Sequence, residues 1–163
     1  MSKITLGILG GGQLGSMLSV AAKKLSVKSV VFSDDQEAPA QNFCDEFVYA
    51  KYDDKNKIYE FSNKVDYITF EFENIPYETL NELNKLKIVL PKPSVNRLIQ
   101  HRLAEKDFVN KLNLRTTRYV YIEKKKDLAP LTDLLPGILK TTTMGDDGKG
   151  QYPIKNIEQI SSL

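Results

Sequence analysis

Four glycines within six residues, between an apolar run and a helical pattern, constrain the fold of this chain more than any other feature. Residues 4–10, ITLGILG, predict a short buried strand, and the apolar residues after the turn recur at helical spacing. Gly10, Gly12 and Gly15 match the pattern G-x-G-x-x-G, in which the missing Cβ atoms permit a tight turn and let a ligand phosphate approach backbone N–H groups. The same glycines could serve only to pack the helix against the strand, so both interpretations stay open at this point.

Strands and helices alternate along the chain after this turn. Runs rich in β-branched and aromatic residues predict further strands, and polar segments with apolar residues at helical spacing predict helices. The predicted strands are 27–33, 45–51, 66–72 and 87–91, and the predicted helices of this part are 53–64 and 77–86. This order is typical of an α/β fold with a Rossmann-like parallel sheet covered on both faces.

The segment PKPS at 91–94 is the clearest interruption of the alternation. Its two prolines resist helix formation, and Ser94 is a typical helix N-cap. We therefore expect a domain boundary there, with one domain at 1–93 and a second at 94–163.

The second domain is predicted to begin with one long amphipathic helix from Val95 onwards. Two short strands at 117–123 and 137–142, with a helix between them, are expected later, and Ile157 lies at the start of another helical pattern. A segment of this size is small for an independent core, so we expect the second domain to be incomplete.

The composition argues against several classes of protein. The 23 basic and 21 acidic residues are interspersed and give a formal net charge of +2, so we expect no nucleic-acid surface beyond the short run Lys124–Lys126. The single Cys44 rules out an internal disulfide, and the single His101 argues against a histidine-based metal site or a Ser-His-Asp triad. An apolar run of about 18 residues is absent, so we expect no membrane segment and a cytoplasmic location.

An acidic residue after the second predicted strand extends the first glycine pattern. Asp34 follows Gly15 by about 19 residues, and an acid near that point in a dinucleotide-binding unit hydrogen-bonds the adenosine ribose. The NAD-binding Rossmann domain of an oxidoreductase is therefore one hypothesis. Acidic residues are also ordinary turn formers after strands, and this simpler explanation stays open.

A second glycine-rich stretch, LKTTTMGDDGKGQ at 139–151, lies between two predicted strands. Lys140 ends the first of these strands, and the glycines around Lys149 would let the loop close as a lid over the β- and γ-phosphates of a nucleotide. The stretch is not a Walker A sequence, because the required Gly-Lys-Ser/Thr and the following helix are absent. A plain hairpin explains the composition equally well.

Two acidic residues lie near the end of the fourth predicted strand. In TFEFENIP, residues 69–76, the period-two alternation places Glu71 and Glu73 on one face of that strand. The carboxyl end of a strand borders the ligand crevice in an open parallel sheet. The two carboxylates could accept hydrogen bonds from the hydroxyls of a sugar or from an amine, and an ordinary exposed strand end is the competing explanation.

Four segments taken together narrow these alternatives. They are GILGGGQLGSML at 7–18, TFEFENIP at 69–76, HRLAEKDFVNKL at 101–112 and GDDGKGQ at 145–151. In this order and spacing they resemble the N5-carboxyaminoimidazole ribonucleotide synthetases, ATP-grasp ligases of purine biosynthesis, and the resemblance covers the whole chain. It implies a pre-ATP-grasp α/β domain like the N-terminal domain of biotin carboxylase, followed by the beginning of an ATP-grasp domain.

The resemblance also implies a reaction. The substrates it implies are ATP, bicarbonate and 5-aminoimidazole ribonucleotide. Bicarbonate attacks the γ-phosphate, and the resulting carboxyphosphate delivers CO₂ to the exocyclic amine of the imidazole. This reaction lies on the route to IMP. Mg²⁺ and cationic side chains must offset the charge of the triphosphate, and a closing lid must keep water from the acyl phosphate. Formation of a homodimer is implied as well.

The site residues follow from the matched positions. The resemblance implies that ATP is bound by Arg102, Lys140, Gly145, Asp146, Asp147, Gly148, Lys149, Gly150 and Gln151. It implies that the ribonucleotide is bound by Gly12, Gln13, Leu14 and Glu73. Asp147 is the implied catalytic residue, Lys106 a supporting cation, and the magnesium ligands are expected beyond Leu163.

Two positions depart from the family pattern. Asp146 stands where the family usually has tyrosine, and Thr142 stands where a basic residue is common. Both changes make the phosphate region more negative, so we expect somewhat weaker nucleotide binding. Because full members of the family carry further domains, we expect this chain to be inactive alone, and a regulatory nucleotide-binding module remains a further alternative.

Overall fold

The computed structural model describes residues 4–124, 127, 132–145, 150–156 and 158–161. The chain divides into two compact units, Met1–Arg97 and Leu98–Leu163. Each unit has a sheet of its own.

The first unit contains a five-stranded sheet with the order β3-β2-β1-β4-β5, in which every pairing is parallel. Its strands are β1 (Thr5–Leu9), β2 (Lys28–Ser33), β3 (Glu46–Tyr49), β4 (Tyr67–Phe70) and β5 (Ile88–Val89). Helices α1 (Gln13–Lys24), α2 (Lys55–Asn63) and α3 (Tyr77–Leu86) connect them, with a 3-10 helix at Pro39–Asn42, and α4 (Pro93–Ile99) follows β5. The predicted Rossmann-like α/β fold is confirmed.

Two apolar layers enclose this sheet. Consecutive residues of a strand point to opposite faces, so Ile8 and Leu9 of β1 belong to different clusters although both are fully buried. Leu9 packs in the layer that contains Phe61 of α2 and Leu80 of α3, whereas Ile8 packs on the other face, against which Leu18 of α1 lies. Helices therefore cover both faces of the sheet, as the alternation of strands and helices predicts.

Helix α1 buries small residues and exposes large apolar ones. The apolar periodicity predicts the helix correctly, but its buried positions are Gly15, Ser16, Ser19 and Ala22. Leu14 and Met17 are 55% and 60% exposed, and Leu25, which directly follows the helix, is 77% exposed. The helix therefore approaches the sheet through residues small enough to permit close contact.

The second unit contains α5 (Arg102–Lys111), a 3-10 turn at Thr132–Leu134, the strands β6 (Gly137–Lys140) and β7 (Gln151–Ile154), and α6 (Glu158–Ser161). The strands β6 and β7 form an antiparallel pair. The predicted strand at 137–142 and the strand after the second glycine stretch are confirmed. In the described part of 124–136, a 3-10 turn at Thr132–Leu134 lies where the sequence predicts a helix between the two late strands.

The prediction of one long helix from Val95 is wrong, because the helical segment is broken at Gln100 and His101. His101 has extended backbone angles, and its Nδ1 accepts a hydrogen bond from the Ala104 N–H at 3.4 Å. A new helix therefore begins at Arg102. Ser94 lies inside α4, which begins at Pro93, so it is not the N-cap that the sequence predicts.

The predicted strand at 117–123 is also wrong, because this segment has no regular structure. Its side chains bond to α5 instead: the Tyr119 hydroxyl donates to Asp107 Oδ1 at 2.6 Å and accepts from Asn110 Nδ2 at 3.0 Å. The hydrogen bond to Asp107 raises the pKa of Tyr119. Lys106 Nζ lies 5.3 Å from the centre of the Tyr119 ring, so the expected supporting cation contacts an aromatic face.

Candidate functional site

The carboxyl ends of β1 and β4 form the centre of the candidate site in the first unit. The chain runs from β1 outwards to β2 and β3 and then crosses to β4, so β1 and β4 flank the point where the strand order reverses. Ligands of open α/β sheets bind in the crevice at such a point. Gly12 follows β1 and Glu71 follows β4, and Glu71 Oε1 accepts a hydrogen bond from the Gly12 N–H at 3.0 Å.

The glycine turn is closed tightly by neighbouring atoms. Gly10 has a φ of +106°, a conformation that favours glycine. A Cβ at Gly15 would lie 2.4 Å from the Gly10 carbonyl oxygen, and a Cβ at Gly11 would lie 2.6 Å from the Cβ of Ala38. The glycines are therefore required by packing within the turn, and the packing interpretation of the sequence pattern is part of the explanation.

The carboxyl end of β2 is closed by a buried tyrosine. Tyr52, which is 7% exposed, has its hydroxyl hydrogen-bonded to the Ser33 side chain and to the Asp34 backbone. Burial raises the pKa of Tyr52 well above its ordinary value, and the carboxylates of Asp34 and Glu71 add to the shift because they disfavour a phenolate. This neutral phenol lies among the side chains that border the crevice, and no local sequence pattern indicates it.

Glu71 and Glu73 do not share a strand. The strand β4 ends at Phe70, so Glu71 lies directly after it and Glu73 lies in the turn that follows. The fully buried side chain of Asn96 stabilises this turn, because it donates a hydrogen bond to the Ile75 carbonyl oxygen at 3.1 Å. The prediction of one shared strand face is wrong, although both acids lie after the same strand.

The predicted ribonucleotide residues of the first unit lie around the same crevice. Gly12 is the N-cap of α1, and Gln13 and Leu14 are the exposed first residues of that helix. Glu73 is positioned on the β4 side by the turn that Asn96 holds. The structure thus places Gly12, Gln13 and Leu14 after β1 and Glu73 after the adjacent strand β4.

In the second unit, Arg102 is tied to the start of the second glycine stretch. Its backbone N–H donates to the Thr142 carbonyl oxygen at 2.8 Å. Its guanidinium donates to the carbonyl oxygen of Thr141 at 3.3 Å and to that of Gly145 at 3.4 Å. A guanidinium presents several donors in a fixed plane, so one side chain can hold two carbonyl groups of this loop.

The hairpin of the second unit brings further predicted nucleotide residues together. Lys140 and Gln151 are directly opposite in the register of β6 and β7. Gly150 has a φ of +61°, and its carbonyl oxygen accepts a hydrogen bond from the Thr141 N–H at 3.0 Å. The stretch therefore begins and ends at one end of the hairpin, near the backbone that Arg102 holds. Asp146, Asp147, Gly148 and Lys149 lie outside the described residues.

Acidic, histidine and cysteine side chains are dispersed over the described part of the chain. Within it, no three histidine, cysteine, aspartate or glutamate residues come together in a group that could hold a metal ion. None of the helices found among those residues has the length and apolar character needed to cross a membrane.

Comparison with known proteins identifies the family. Residues 1–100 match the model of the ribonucleotide synthetase preATP-grasp domain. The chain belongs to this family. The match includes the glycine turn, both glutamates after β4 and the whole parallel sheet.

Individual relatives extend the similarity into the second unit. The chain is 38% identical over 159 residues to an N5-carboxyaminoimidazole ribonucleotide synthase from Staphylococcus haemolyticus, covering 96% of this chain and 42% of the relative. It is 33% identical to the protein of the same name from Brucella melitensis, covering 97% of this chain and 44% of that one. A crystal structure of N5-carboxyaminoimidazole synthetase from Staphylococcus aureus complexed with ADP superposes with a TM-score of 0.90 at 34% identity, covering 98% of this chain and 44% of that one. The chain thus spans less than half the length of these relatives.

Proposed function

We propose that this chain takes part in the ATP-dependent carboxylation of 5-aminoimidazole ribonucleotide by bicarbonate. The observation that carries the proposal is the similarity to N5-carboxyaminoimidazole ribonucleotide synthases over 96% of the chain, which includes both glycine-rich segments. The product would be N5-carboxyaminoimidazole ribonucleotide, an intermediate of purine biosynthesis. The first unit would bind the ribonucleotide, and the second unit would contribute part of the ATP site.

The carboxyl edge of the first unit has the chemistry that a ribonucleotide requires. Gly12, Gln13 and Leu14 would form one wall of its site, and Glu73 would lie on the β4 side. A carboxylate accepts hydrogen bonds from ribose hydroxyls and from an exocyclic amine, and it does so more strongly than a neutral acceptor. The amine must be held in a defined position because it is the group that receives CO₂.

The hairpin of the second unit has features suited to a triphosphate. Lys140 supplies an exposed cation at the end of β6, and Gln151 lies opposite it. Gly145 and Gly150 flank the segment proposed to close over the phosphates, with Arg102 holding its first residues. In this proposal Asp146, Gly148 and Lys149 belong to the lid, and Asp147 is the catalytic residue.

The proposed chemistry proceeds in two steps. An oxygen of bicarbonate attacks the γ-phosphorus, the bond to the β-phosphate oxygen breaks, and ADP leaves carboxyphosphate behind. The carbon–oxygen bond of carboxyphosphate to its phosphate group then breaks and inorganic phosphate leaves. The amine nitrogen bonds to the carbon of CO₂ and loses a proton, which the released phosphate accepts. Arg102 and Lys140 would offset negative charge during the first step. Bound magnesium would offset further negative charge, although the described residues offer no ligand set for it.

The alternative function, NAD binding by an oxidoreductase domain, finds less support in the geometry. A bound pyrophosphate needs free N–H groups at the glycine turn, and the Gly12 N–H already donates to Glu71. Ala38 and Ser33 pack against Gly11 on the β2 side of the turn. Ala38 and Ser33 therefore narrow the space through which a dinucleotide would have to run from the turn to Asp34.

Self-association of the chain through its first unit stays a prediction.

An NMR titration of the isotope-labelled chain tests the proposal. We expect 5-aminoimidazole ribonucleotide to shift the amide signals of residues 10–14 and 71–75, and ADP to shift those of residue 102 and of 139–151. Arg102→Ala should weaken ADP binding at least about tenfold, since it removes hydrogen bonds from a charged donor that orders the loop. Lys111→Ala, which removes a cation from the last turn of the same helix, is the matched control.

The outcomes separate the candidate functions. Saturable shifts by NADH at residues 10–15 and 34, with none by the ribonucleotide, would support the dinucleotide alternative. Tight ADP binding without any response to the ribonucleotide would favour a regulatory nucleotide-binding module. An unchanged ADP affinity in the Arg102 variant would remove the assigned role of this residue.

A further inference from the structure

The carboxylate of Glu71 occupies the position at which a glycine turn of this type ordinarily receives a phosphate. Its Oε1 is 3.0 Å from the Gly12 nitrogen. The same oxygen would lie 2.7 Å from a Cβ at Gly10, 3.3 Å from one at Gly12 and 3.4 Å from one at Gly15. All three glycines of the motif therefore converge on one side-chain oxygen.

This carboxylate is held in place through its backbone. The Glu71 N–H donates to the Leu9 carbonyl oxygen at 3.0 Å, which continues the pairing of β4 with β1 by one residue. The side chain thus starts from a position that the sheet determines. Because Gly10 lacks a Cβ, the carboxylate can lie directly against the turn.

The opposite side of the turn offers no second entrance for an anion. Gly11 is buried, and the Ala40 N–H donates to its carbonyl oxygen at 3.0 Å. Ser33 and Ala38 lie against the same residue, where an added Cβ would come within 2.9 Å of Ser33 and 2.6 Å of Ala38. A phosphate could reach the Gly12 N–H only by displacing Glu71, and the displaced carboxylate would still repel it.

We propose that Glu71 is a specificity-determining residue that excludes phosphate and pyrophosphate groups from the Gly10–Gly15 turn. The carboxylate supplies negative charge at the N-terminus of α1, where such charge is favoured, and it accepts the Gly12 N–H there. The hydrogen-bond acceptor presented at the turn is then the carboxylate of Glu71. A ligand in the crevice would bind it through hydroxyl or amine donors. This inference goes beyond the proposed function, because it concerns exclusion of anions whichever donor ligand is bound.

Substitutions of Glu71 in the full 163-residue chain test the proposal, with inorganic pyrophosphate as the probe and calorimetry as the assay. Glu71→Ala empties the position and should bind pyrophosphate at least about tenfold more tightly than the unsubstituted chain, since a charged acceptor is removed and an N–H is released. Glu71→Gln keeps the shape and removes the charge, so a smaller gain is expected. Glu60→Gln, which removes an exposed carboxylate from α2, should bind as the unsubstituted chain does.

The Gly12 amide signal provides a second measurement that does not require a variant. In the unsubstituted chain it should stay unmoved during a pyrophosphate titration, and in Glu71→Ala it should shift saturably. Equal pyrophosphate affinity of folded Glu71→Ala and the unsubstituted chain would overturn the proposal. So would saturable movement of the Gly12 signal in the unsubstituted chain, and this result decides the matter even if Glu71→Ala fails to fold.

Discussion

The close approach of α1 to the turn after β1 makes Gly15→Ala the sharpest test of the fold. An added Cβ would lie 2.4 Å from the Gly10 carbonyl oxygen, which is a backbone atom and cannot rotate away. Gly10 is itself anchored, because its N–H donates to the Phe32 carbonyl oxygen of β2 at 3.0 Å. Either the helix must move away from the sheet or a bond between the turn and β2 must lengthen.

The size of the effect follows from two opposing contributions. Alanine is favoured over glycine inside a helix by about 1 kcal/mol. Overpacking of a filled site costs about 1–3 kcal/mol and more when the obstacle is rigid. Because the obstructing atom is a backbone oxygen, we take the upper end of the overpacking cost. We therefore expect Gly15→Ala to lower the free energy of unfolding by about 2 kcal/mol net. In a unit of this size that corresponds to a fall in melting temperature of roughly 8–16 °C.

The assay must report on the first unit alone, since the two units need not unfold together. Hydrogen exchange of the β1 amides in increasing urea does so. Ala21→Gly is the matched control: this position is exposed on the same helix, so it should lose only the propensity difference of about 1 kcal/mol. A Gly15→Ala chain as stable as the unsubstituted chain, or more stable, would refute the packing argument, because propensity alone would then decide the outcome.

Two further substitutions test the electrostatics and the capping of the first unit. Burial raises the pKa of Tyr52 in the folded chain above the value of about 10 that a tyrosine has in the unfolded chain. The contribution of the neutral phenol to the free energy of unfolding is therefore complete below about pH 10 and is lost as the pH rises above that value. Tyr52→Phe should therefore show a shallower alkaline loss of stability in urea unfolding, and parallel pH profiles would contradict this. Asp54→Ala should cost about 1 kcal/mol, since Asp54 Oδ1 accepts two N–H bonds at the start of α2. Asp53→Ala should cost little, and equal losses in the two aspartate variants would rule out the capping role.

Much of the candidate site could be placed from the sequence. The carboxyl end of a parallel strand is a property of topology, so acids after β4 and glycines after β1 were predictable neighbours of one crevice. The meeting of Arg102 with residues 141–145 was not predictable from spacing. It depends on α5 beginning at Arg102, and hence on the break at His101 that no apolar pattern indicates.

The role of Glu71 was likewise predictable from the sequence only in part. Period-two alternation singled out both glutamates but assigned them to one strand face, and β4 ends too early for that. Which of the two carboxylates enters the glycine turn depends on where the strand stops and on the missing Cβ of Gly10. The buried Tyr52 had no signal at all, because the side chains around it come from the ends of two different strands, β2 and β4.

Local pattern was sufficient for what depends on neighbouring residues: the alternation of strands and helices, the tight turn after β1 and the hairpin around the second glycine stretch. Contacts between distant segments settled the rest. Glu71 meets Gly12 across 59 positions of the chain, α1 turns its small residues to the sheet, and residues 117–123 bond to α5 instead of joining a sheet. Periodicity reports which residues share a face, whereas burial and bonding depend on which surface comes to lie against that face.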